Sequence, residues 1–178
     1  MARRLISNSG ITSKADIKVD LSAMSDDALV FLRAGLDAEM RKRKLAFSVG
    51  EIGERLAIEY FRQTPNLPKL QPAPRGTKNV DALSRNGDRY SIKAHCSAKK
   101  TGQIYPDPQE RDKQLFEHLL VVKLGTDWAL ESIHQFSWKQ FAKIRSWDSR
   151  MNAWYIGISN RSLSAAELIF RSSESENG

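Results

Sequence analysis

The sequence predicts one domain of the α/β or α+β class, with a mixed central sheet of about five strands flanked by helices. Three observations indicate this class. Two segments with apolar residues three and four positions apart come first, several short β-branched or alternating runs follow, and another amphipathic segment precedes the last of these runs. A chain of 178 residues is long enough for one domain with a substantial core. We expect this domain at 23–170, with a flexible arm at 1–22 and a flexible tail at 171–178.

Three helices are predicted from apolar spacing and from residues that cap helix starts. The first follows Ser25, and its apolar stripe consists of Leu29, Leu32, Leu36 and Met40. The second spans 49–63, and its buried stripe consists of Val49, Ile52, Leu56, Ala57 and Tyr60. The third spans 138–146 and begins after Ser137, whose hydroxyl can accept a hydrogen bond from the first turn.

The predicted strands lie between and after these helices. Two of them, at 79–84 and 89–95, are joined by an Asn-Gly turn signal, with loops at 64–79 and 96–114 on either side. The run FEHLLVVKL, at 116–124, is the best candidate for a central strand, because continuous apolar runs are typical of strands buried on both faces. Further strands are expected at 127–136 and 154–159.

Composition narrows the classes of partner and compartment. The net charge of +7 favours a polyanionic partner such as nucleic acid. No apolar run approaches the roughly 18 residues that span a bilayer, so no membrane partner is expected. The single cysteine, Cys96, excludes an internal disulfide and a multi-cysteine metal site, and a cytoplasmic location is the simplest expectation. Glycine-rich phosphate loops are missing, so we expect no nucleotide cofactor.

Asp81 and Lys93 are the main candidate site residues, on two successive predicted strands. Side chains two positions apart on a strand share a face, so Ser91 and Lys93 point together and Ile92 points into the core. A two-residue turn at Asn86-Gly87 would place Asp81 opposite Ile92, on the wrong face. A three-residue turn that includes Asp88 would place Asp81 opposite Lys93. We predict the three-residue turn or a bulge.

Two acids on the preceding helix, Glu51 and Glu54, are three positions apart and share a rough face. We prefer Glu54, because it follows Gly53, which lets the helix approach the sheet closely. Carboxylates from a helix and a strand can hold a divalent cation, and a nearby lysine can stabilise hydroxide or the developing charge on phosphate. The set therefore suits metal-assisted hydrolysis of a phosphodiester.

The segment VDALSRNGDRYSIKA resembles the signature of the PD-(D/E)XK, or restriction endonuclease-like, nuclease superfamily. In that signature an aspartate ends one strand, and an acid-x-lysine follows on the next. The helix GEIGERLAIEYF and the strand FEHLLVVKL also fit the superfamily's order, so the resemblance covers about residues 48–125. It implies a restriction endonuclease-like core in a protein similar to small uncharacterised bacterial restriction-like proteins.

The resemblance also implies roles for individual residues. Asp81 and Glu54 would bind Mg²⁺, for which Mn²⁺ can substitute, together with a backbone carbonyl near Ile92. Lys93 would be the catalytic lysine, beside Ser91 at the position of the usual acid. The implied activity is that of an endonuclease on DNA in restriction, defence or repair, acting as a homodimer because two active sites are needed to cut both strands.

Ser91 departs from this pattern, because a serine hydroxyl binds a divalent cation much less strongly than a carboxylate does. Three outcomes are open. Glu54 supplies the missing charge, or a weakly held metal suffices when DNA phosphates are present, or the site is inactive and the fold binds nucleic acid without cutting it. The plain alternative is that Asp81 is an ordinary acid beside a turn and that Lys93 is an ordinary lysine on an edge strand.

Four basic residues on the two loops are our candidates for phosphate contacts, with ordinary solvated charges as the alternative; they are Arg75, Lys78, Lys99 and Lys100. Tyr105 either stacks on a base or packs its own loop. The four tryptophans of the C-terminal third suit a DNA groove, a core or an assembly surface. Three functions therefore compete: a Mg²⁺-dependent endonuclease, a nucleic-acid-binding module and an assembly subunit.

Overall fold

The computed structural model describes residues 19–45 and 48–173, and the chain divides into two compact units, 1–45 and 46–178. The first unit contains a short 3₁₀ helix, Leu21–Ala23, and helix α1, Asp26–Lys42. Ser25 caps α1 as predicted, since its side chain accepts a hydrogen bond from the Ala28 amide. No described residue of α1 is buried, and Leu36 on its apolar stripe is 55 % exposed.

This division differs from the single domain expected at 23–170, because α1 buries none of its residues and belongs to a different unit from the sheet. The flexible ends expected at 1–22 and 171–178 lie mostly outside the described residues. Within the described part, Leu21–Ala23 is helical, and Arg171 is the last residue of a strand.

The second unit carries the sheet and the remaining described helices. In chain order these elements are α2 (Val49–Gln63), β1 (Leu70–Pro72), β2 (Ala82–Ser84), β3 (Arg89–His95), β4 (His118–Leu124), β5 (Leu130–Ser137), α3 (Trp138–Ile144), β6 (Ser146–Asp148), β7 (Ala153–Tyr155), α4 (Asn160–Leu163) and β8 (Glu167–Arg171). Six strands form one sheet in the order β1-β2-β3-β4-β5-β8, in which β3 and β4 are parallel and the other neighbours are antiparallel. The predicted class, a mixed sheet flanked by helices, is confirmed.

Helix α2 covers one face of the sheet. A capping box between Ser48 and Glu51 starts this helix, and its buried residues Leu56 and Phe61 join a core that includes Tyr90 and Ile92 of β3. A Cβ atom added to Gly53 would lie only 2.2 Å from the Cβ of Ala94 on β3. The close approach that Gly53 predicts is therefore present, and it sets the distance between helix and sheet.

A second core fills the opposite face, where Leu119 and Val121 of β4 pack with Phe141 of α3 and Ile156. Leu120 and Val122 point to the first core, and all four of these β4 side chains are at most 1 % exposed. The prediction that FEHLLVVKL is a central strand is thus confirmed. Strand β4 therefore contributes side chains to both hydrophobic cores, one on each face of the sheet.

Two parts of the sheet differ from the sequence-based expectation. The proline-rich loop at 64–79 contains β1, an edge strand, which tolerates Pro72 because one side of an edge strand needs no donor. The strand expected at 154–159 is short and pairs with β6 in a separate two-stranded sheet, while the outer place beside β5 goes to β8. None of the helices that the structure describes has the length and apolar character needed to cross a membrane.

Candidate functional site

The loop between β2 and β3 has the predicted length but lies one residue earlier than expected. Ala82 pairs with Tyr90, and the Ser84 amide donates to the Asp88 carbonyl at 2.9 Å, so the three loop residues are 85–87. The Ser84 hydroxyl accepts from the amides of Asn86 and Asp88 and thereby closes the loop early. The expected pairing of Asp81 with Lys93 is therefore wrong.

Asp81 nevertheless lies on the same face as Ser91 and Lys93. Continuing the register by one residue places Asp81 beside Ser91, and the Asp81 amide donates to the Tyr90 carbonyl at 2.8 Å, a bulge-like departure from the regular ladder. The side chain turns toward β3, where Lys93 Nζ lies 3.7 Å from Asp81 Oδ2. The structure thus brings the acid and the lysine together by a diagonal contact.

Hydrogen bonds from β3 fix the Asp81 carboxylate. Oδ2 accepts from the Ile92 amide at 2.6 Å and from the Ser91 hydroxyl at 3.3 Å. Within 19–45 and 48–173, Oδ1 accepts no hydrogen bond and keeps its lone pairs for a further ligand. The Ile92 side chain lies in the first core, so this residue reaches the site through its backbone alone.

Ser91 is completely buried, at 0 % exposure. Its hydroxyl is directed at Asp81 and positions that carboxylate. A buried hydroxyl that already donates to an acid is poorly placed to act as a cation ligand in this arrangement. The residue at the position of the usual acid therefore supports Asp81 in this fold.

Glu54 is the helical acid of the site. Burial raises the pKa of its carboxyl group, the charge of Asp81 raises it further, and the ammonium of Lys93 partly opposes both effects. Glu51 takes part in the helix cap, where its carboxylate accepts from the Ser48 amide at 3.1 Å and from the Ser48 hydroxyl at 2.8 Å. Glu54 thus interacts electrostatically with both Asp81 and Lys93, and Glu51 closes the helix cap.

Lys93 also lines a cleft of about 880 Å³. Apolar side chains of Val80, Tyr105 and Leu115 contribute to its wall, and three further cations line it, namely Lys78, Arg89 and Lys113. Arg89 forms an ion pair with Glu117 at 2.7 Å, and Lys113 forms one with Asp107 at 3.1 Å. The cleft therefore combines apolar surface with a positive charge that the neighbouring acids only partly balance.

The four basic residues expected at phosphates are distributed unevenly. Lys78 lines the cleft, whereas Arg75 and Lys99 are exposed on their loops and do not line it. Lys100 pairs with Asp148 at 2.9 Å and lies 4.9 Å from the ring centre of Tyr155. Asp148 already balances the charge of Lys100. Of the four residues, Lys78 is therefore the best candidate for a phosphate contact in the cleft.

Sequence reasoning did not select Asn79, although it organises one wall of the cleft. Its side-chain amide donates to the Tyr105 carbonyl at 2.8 Å and accepts from the Tyr105 amide at 3.2 Å. Asn79 adopts a left-handed backbone conformation with φ 59°, which asparagine tolerates better than most residues. The predicted strand at 79–84 included Asn79 and gave no indication of this role, because the partner of Asn79 lies 26 residues away.

Most of the tryptophans serve packing. Trp138 packs against Phe116 and Phe141 of the second core. Trp147 and Trp154 stack edge to face, and the Arg111 guanidinium lies 3.7 Å from the ring centre of Trp147. Of the alternatives left open for this group, the core alternative describes Trp138 and Trp154, which pack against the second core, whereas Trp147 contacts Trp154 and Arg111.

No protein-family model and no curated protein matches this chain. The chemistry of the site therefore has to be judged from its own residues.

The residues present fit a weakly held Mg²⁺. In the part of the chain that the structure describes, no three His, Cys, Asp or Glu side chains form a cluster able to hold a metal. Mg²⁺ is nevertheless commonly bound by one or two carboxylates, with waters and substrate phosphate completing its coordination. Glu54 and Asp81 are two such carboxylates. Burial and, after it, the charge of Asp81 raise the pKa of Glu54, and a divalent cation bound by both carboxylates would offset the second of these effects.

Proposed function

We propose that this protein is a metal-dependent endonuclease of the restriction endonuclease-like type, hydrolysing phosphodiester bonds in DNA. The observation that carries the proposal is the contact between Lys93 Nζ and Asp81 Oδ2, which are 3.7 Å apart, together with the position of Lys93 in the lining of an open cleft. Glu54 on α2 interacts electrostatically with both members of this pair. Two acids and one ammonium group beside a cleft form the minimal set for this chemistry.

Each residue has a distinct proposed role. Asp81 and Glu54, with a backbone carbonyl near Ile92, would hold Mg²⁺ or Mn²⁺, which supplies charge neutralisation at phosphate and a more acidic bound water. Lys93 faces the cleft, where its ammonium group can contact the attacking water or a phosphate oxygen. Ser91 positions Asp81 through its hydroxyl group. Glu54 lies on α2, Lys93 lies on β3, and hydrogen bonds from β3 hold Asp81, which supports the proposal because precise positioning favours catalysis.

DNA as substrate is supported by the net charge of +7 and by Lys78 at the cleft. Cutting both strands of a duplex needs two active sites, so a homodimer belongs to the proposal. A role in restriction, defence or repair and a cytoplasmic location follow from the same proposed activity.

The test is cleavage of supercoiled plasmid with Mg²⁺ or Mn²⁺. The wild type should cut, EDTA should abolish cutting, and Lys93→Ala should reduce the rate by about 100-fold or more, as expected when a group that stabilises developing charge is removed. Lys99→Ala is the matched control, because this exposed lysine does not line the cleft. Equal rates for Lys93→Ala and the wild type would sink the proposal and identify the activity as a contaminant.

A binding module without catalysis is the second candidate. The buried Ser91 favours it, since this position supplies no carboxylate to a cation. Its signature is an absence of cleavage with any divalent metal, combined with DNA binding that weakens steeply as salt rises. An absence of both cleavage and binding would instead favour an assembly role.

A further inference from the structure

We infer that the cleft beside Lys93 accepts one unpaired nucleoside of the substrate strand. On this inference the protein acts on nucleic acid that is single-stranded, or locally unpaired, next to the bond that is cut. The reaction at that bond rests on the proposed function, whereas binding of the nucleoside does not.

Tyr105 has the properties of a stacking platform. The residue is about half exposed, at 48 %, and its ring forms no aromatic pair and no cation–π contact with the side chains that the structure describes. Asn79 holds the backbone of Tyr105 through two reciprocal hydrogen bonds, and Pro106 restricts the chain directly after it. The ring is therefore presented on a fixed backbone, so little conformational freedom is lost when a base stacks on it.

The size and lining of the cleft suit a base. Its volume of about 880 Å³ falls within the roughly 300–1,000 Å³ typical of pockets for small organic ligands. Val80 and Leu115 extend the apolar surface beside Tyr105, and the amides of Gln103 and Asn152 line the same space. These two amides bond to no other described residue, so they are available to the polar edge of a base.

Stacked and paired bases cannot use such a cleft. In a continuous duplex the faces of each base are covered by its neighbours, and its Watson–Crick edge is paired. Only an unpaired nucleotide, or one extruded from the duplex, can place its face on Tyr105. Proteins that bind single strands use the same combination of aromatic platforms and cationic grooves.

The charges of the cleft place the phosphates of that nucleotide at the candidate site. Glu117 and Asp107 balance Arg89 and Lys113. Lys78 forms no ion pair with a described residue, and Lys93 is held at 3.7 Å from Asp81 by a longer contact than those of Arg89 and Lys113, so these two lysines are the candidates for the phosphates that flank the bound nucleoside. Since Lys93 also contacts Asp81, one of these phosphates would lie beside the proposed reaction centre.

The experiment measures binding of an oligonucleotide that contains one 2-aminopurine, as a single strand and as a fully paired duplex, in EDTA. The single strand should bind at least about tenfold more tightly than the duplex, and the fluorescence of the bound base should be quenched by stacking. Tyr105→Ala should weaken single-strand binding about tenfold and abolish the quenching. Tyr105→Phe retains the ring and should preserve both. Trp128→Ala is the control, since this exposed aromatic does not line the cleft.

Equal affinity for duplex and single strand, or wild-type binding and quenching by Tyr105→Ala, would overturn the inference. Either result leaves the proposed function standing if plasmid cleavage still requires Lys93. In the converse case, single-strand binding that depends on Tyr105 without cleavage by any metal supports the inference and contradicts the proposed nuclease.

Discussion

At the scale of single residues, Ser91 decides how the site differs from the usual acid-x-lysine pattern. It is fully buried, its hydroxyl donates to Asp81, and Glu54 interacts with the same acid. A carboxylate at this position would be desolvated beside two other acids. Serine instead gives Asp81 a hydrogen-bond donor, so the site keeps a firmly held aspartate and has fewer anionic ligands.

Ser91→Asp should therefore destabilise the protein in EDTA by about 2 kcal/mol or more, because a buried charge would face the like charges of Asp81 and Glu54, and Lys93 already pairs with Asp81. Saturating Mg²⁺ should recover part of this loss. Urea unfolding followed by circular dichroism measures both effects. Ser91→Ala is the control and should lose only about 1 kcal/mol, with or without metal, for one missing hydrogen bond. Equal stability of the two variants in EDTA would contradict the argument that a carboxylate at position 91 is destabilised by Asp81 and Glu54.

Glu54 links stability to pH. Burial and the charge of Asp81 raise the pKa of this carboxyl group in the folded state above the ordinary value of 4.5. The folded protein therefore binds the proton more tightly than the unfolded chain does. This contribution to stability is fully present below pH 4.5 and is lost as the pH rises through the raised pKa.

Glu54→Gln should consequently be more stable than the wild type at neutral pH in EDTA, with a gap that shrinks as the pH falls toward about 4.5. Urea unfolding across this pH range measures the gap. Glu59→Gln, on the same helix, is the matched control because Glu59 pairs with Arg62 and not with the site. A gap that does not change with pH would show that charge on Glu54 is not its cause.

At the scale of elements, the packing of α2 on β3 sets the position of the helical acid. The absent side chain of Gly53 lets the helix backbone approach Ala94, and Glu54 is the next residue. Any larger residue at 53 would push the helix outward and carry Glu54 away from Asp81. The geometry of the site thus depends on a packing contact that involves none of its polar groups.

Gly53→Ala should destabilise the protein by about 1–3 kcal/mol through overpacking, although alanine favours helices by about 1 kcal/mol over glycine. Gly50→Ala, on the same helix, should stabilise it by up to about 1 kcal/mol, since the nearest atom to the new Cβ is Ser48 Oγ at 3.8 Å. Adding Ala94→Gly to Gly53→Ala should restore much of the loss. Thermal and urea unfolding of the four proteins test the contact, and a neutral Gly53→Ala would refute it.

At the scale of the whole molecule, every residue proposed for catalysis lies in the unit of 46–178. The unit of 1–45 contains α1, in which no described residue is buried. Because removal of apolar surface from water is the main favourable contribution to folding, a helix without buried residues contributes little to stability. We therefore expect the sheet-bearing unit to fold without α1.

A fragment of residues 46–178 should unfold cooperatively, with a free energy of unfolding within about 1 kcal/mol of that of the full chain. It should also retain any metal-dependent cleavage. A fragment that begins at residue 64 is the control, because it removes α2 and its buried residues Leu56 and Phe61. That control should be unfolded by circular dichroism, and an unfolded 46–178 fragment would contradict the independence of the unit.

The part of the fold that the sequence predicts well depends on short-range patterns. The apolar stripe of α2, the serines Ser25 and Ser137 at helix starts, and the continuous apolar run of β4 are all patterns of a few turns or one strand. The alternation along β3 places Ser91 and Lys93 on one face by the geometry of a strand alone. These features need no knowledge of distant residues.

The tertiary structure decided the rest, because the deciding contacts join residues far apart in the chain. The Ser84 hydroxyl accepts hydrogen bonds from the amides of Asn86 and Asp88, and these bonds select one of several possible loops between β2 and β3 and thereby the register of the two strands. Arg171 pairs with Ser132 in the outer strand, and Asn79 holds Tyr105 across 26 residues. The sequence by itself determined which side chains share a strand or a helix face. Only the tertiary structure determined which faces meet, since that choice depends on which pairings bury the most apolar surface while satisfying the backbone.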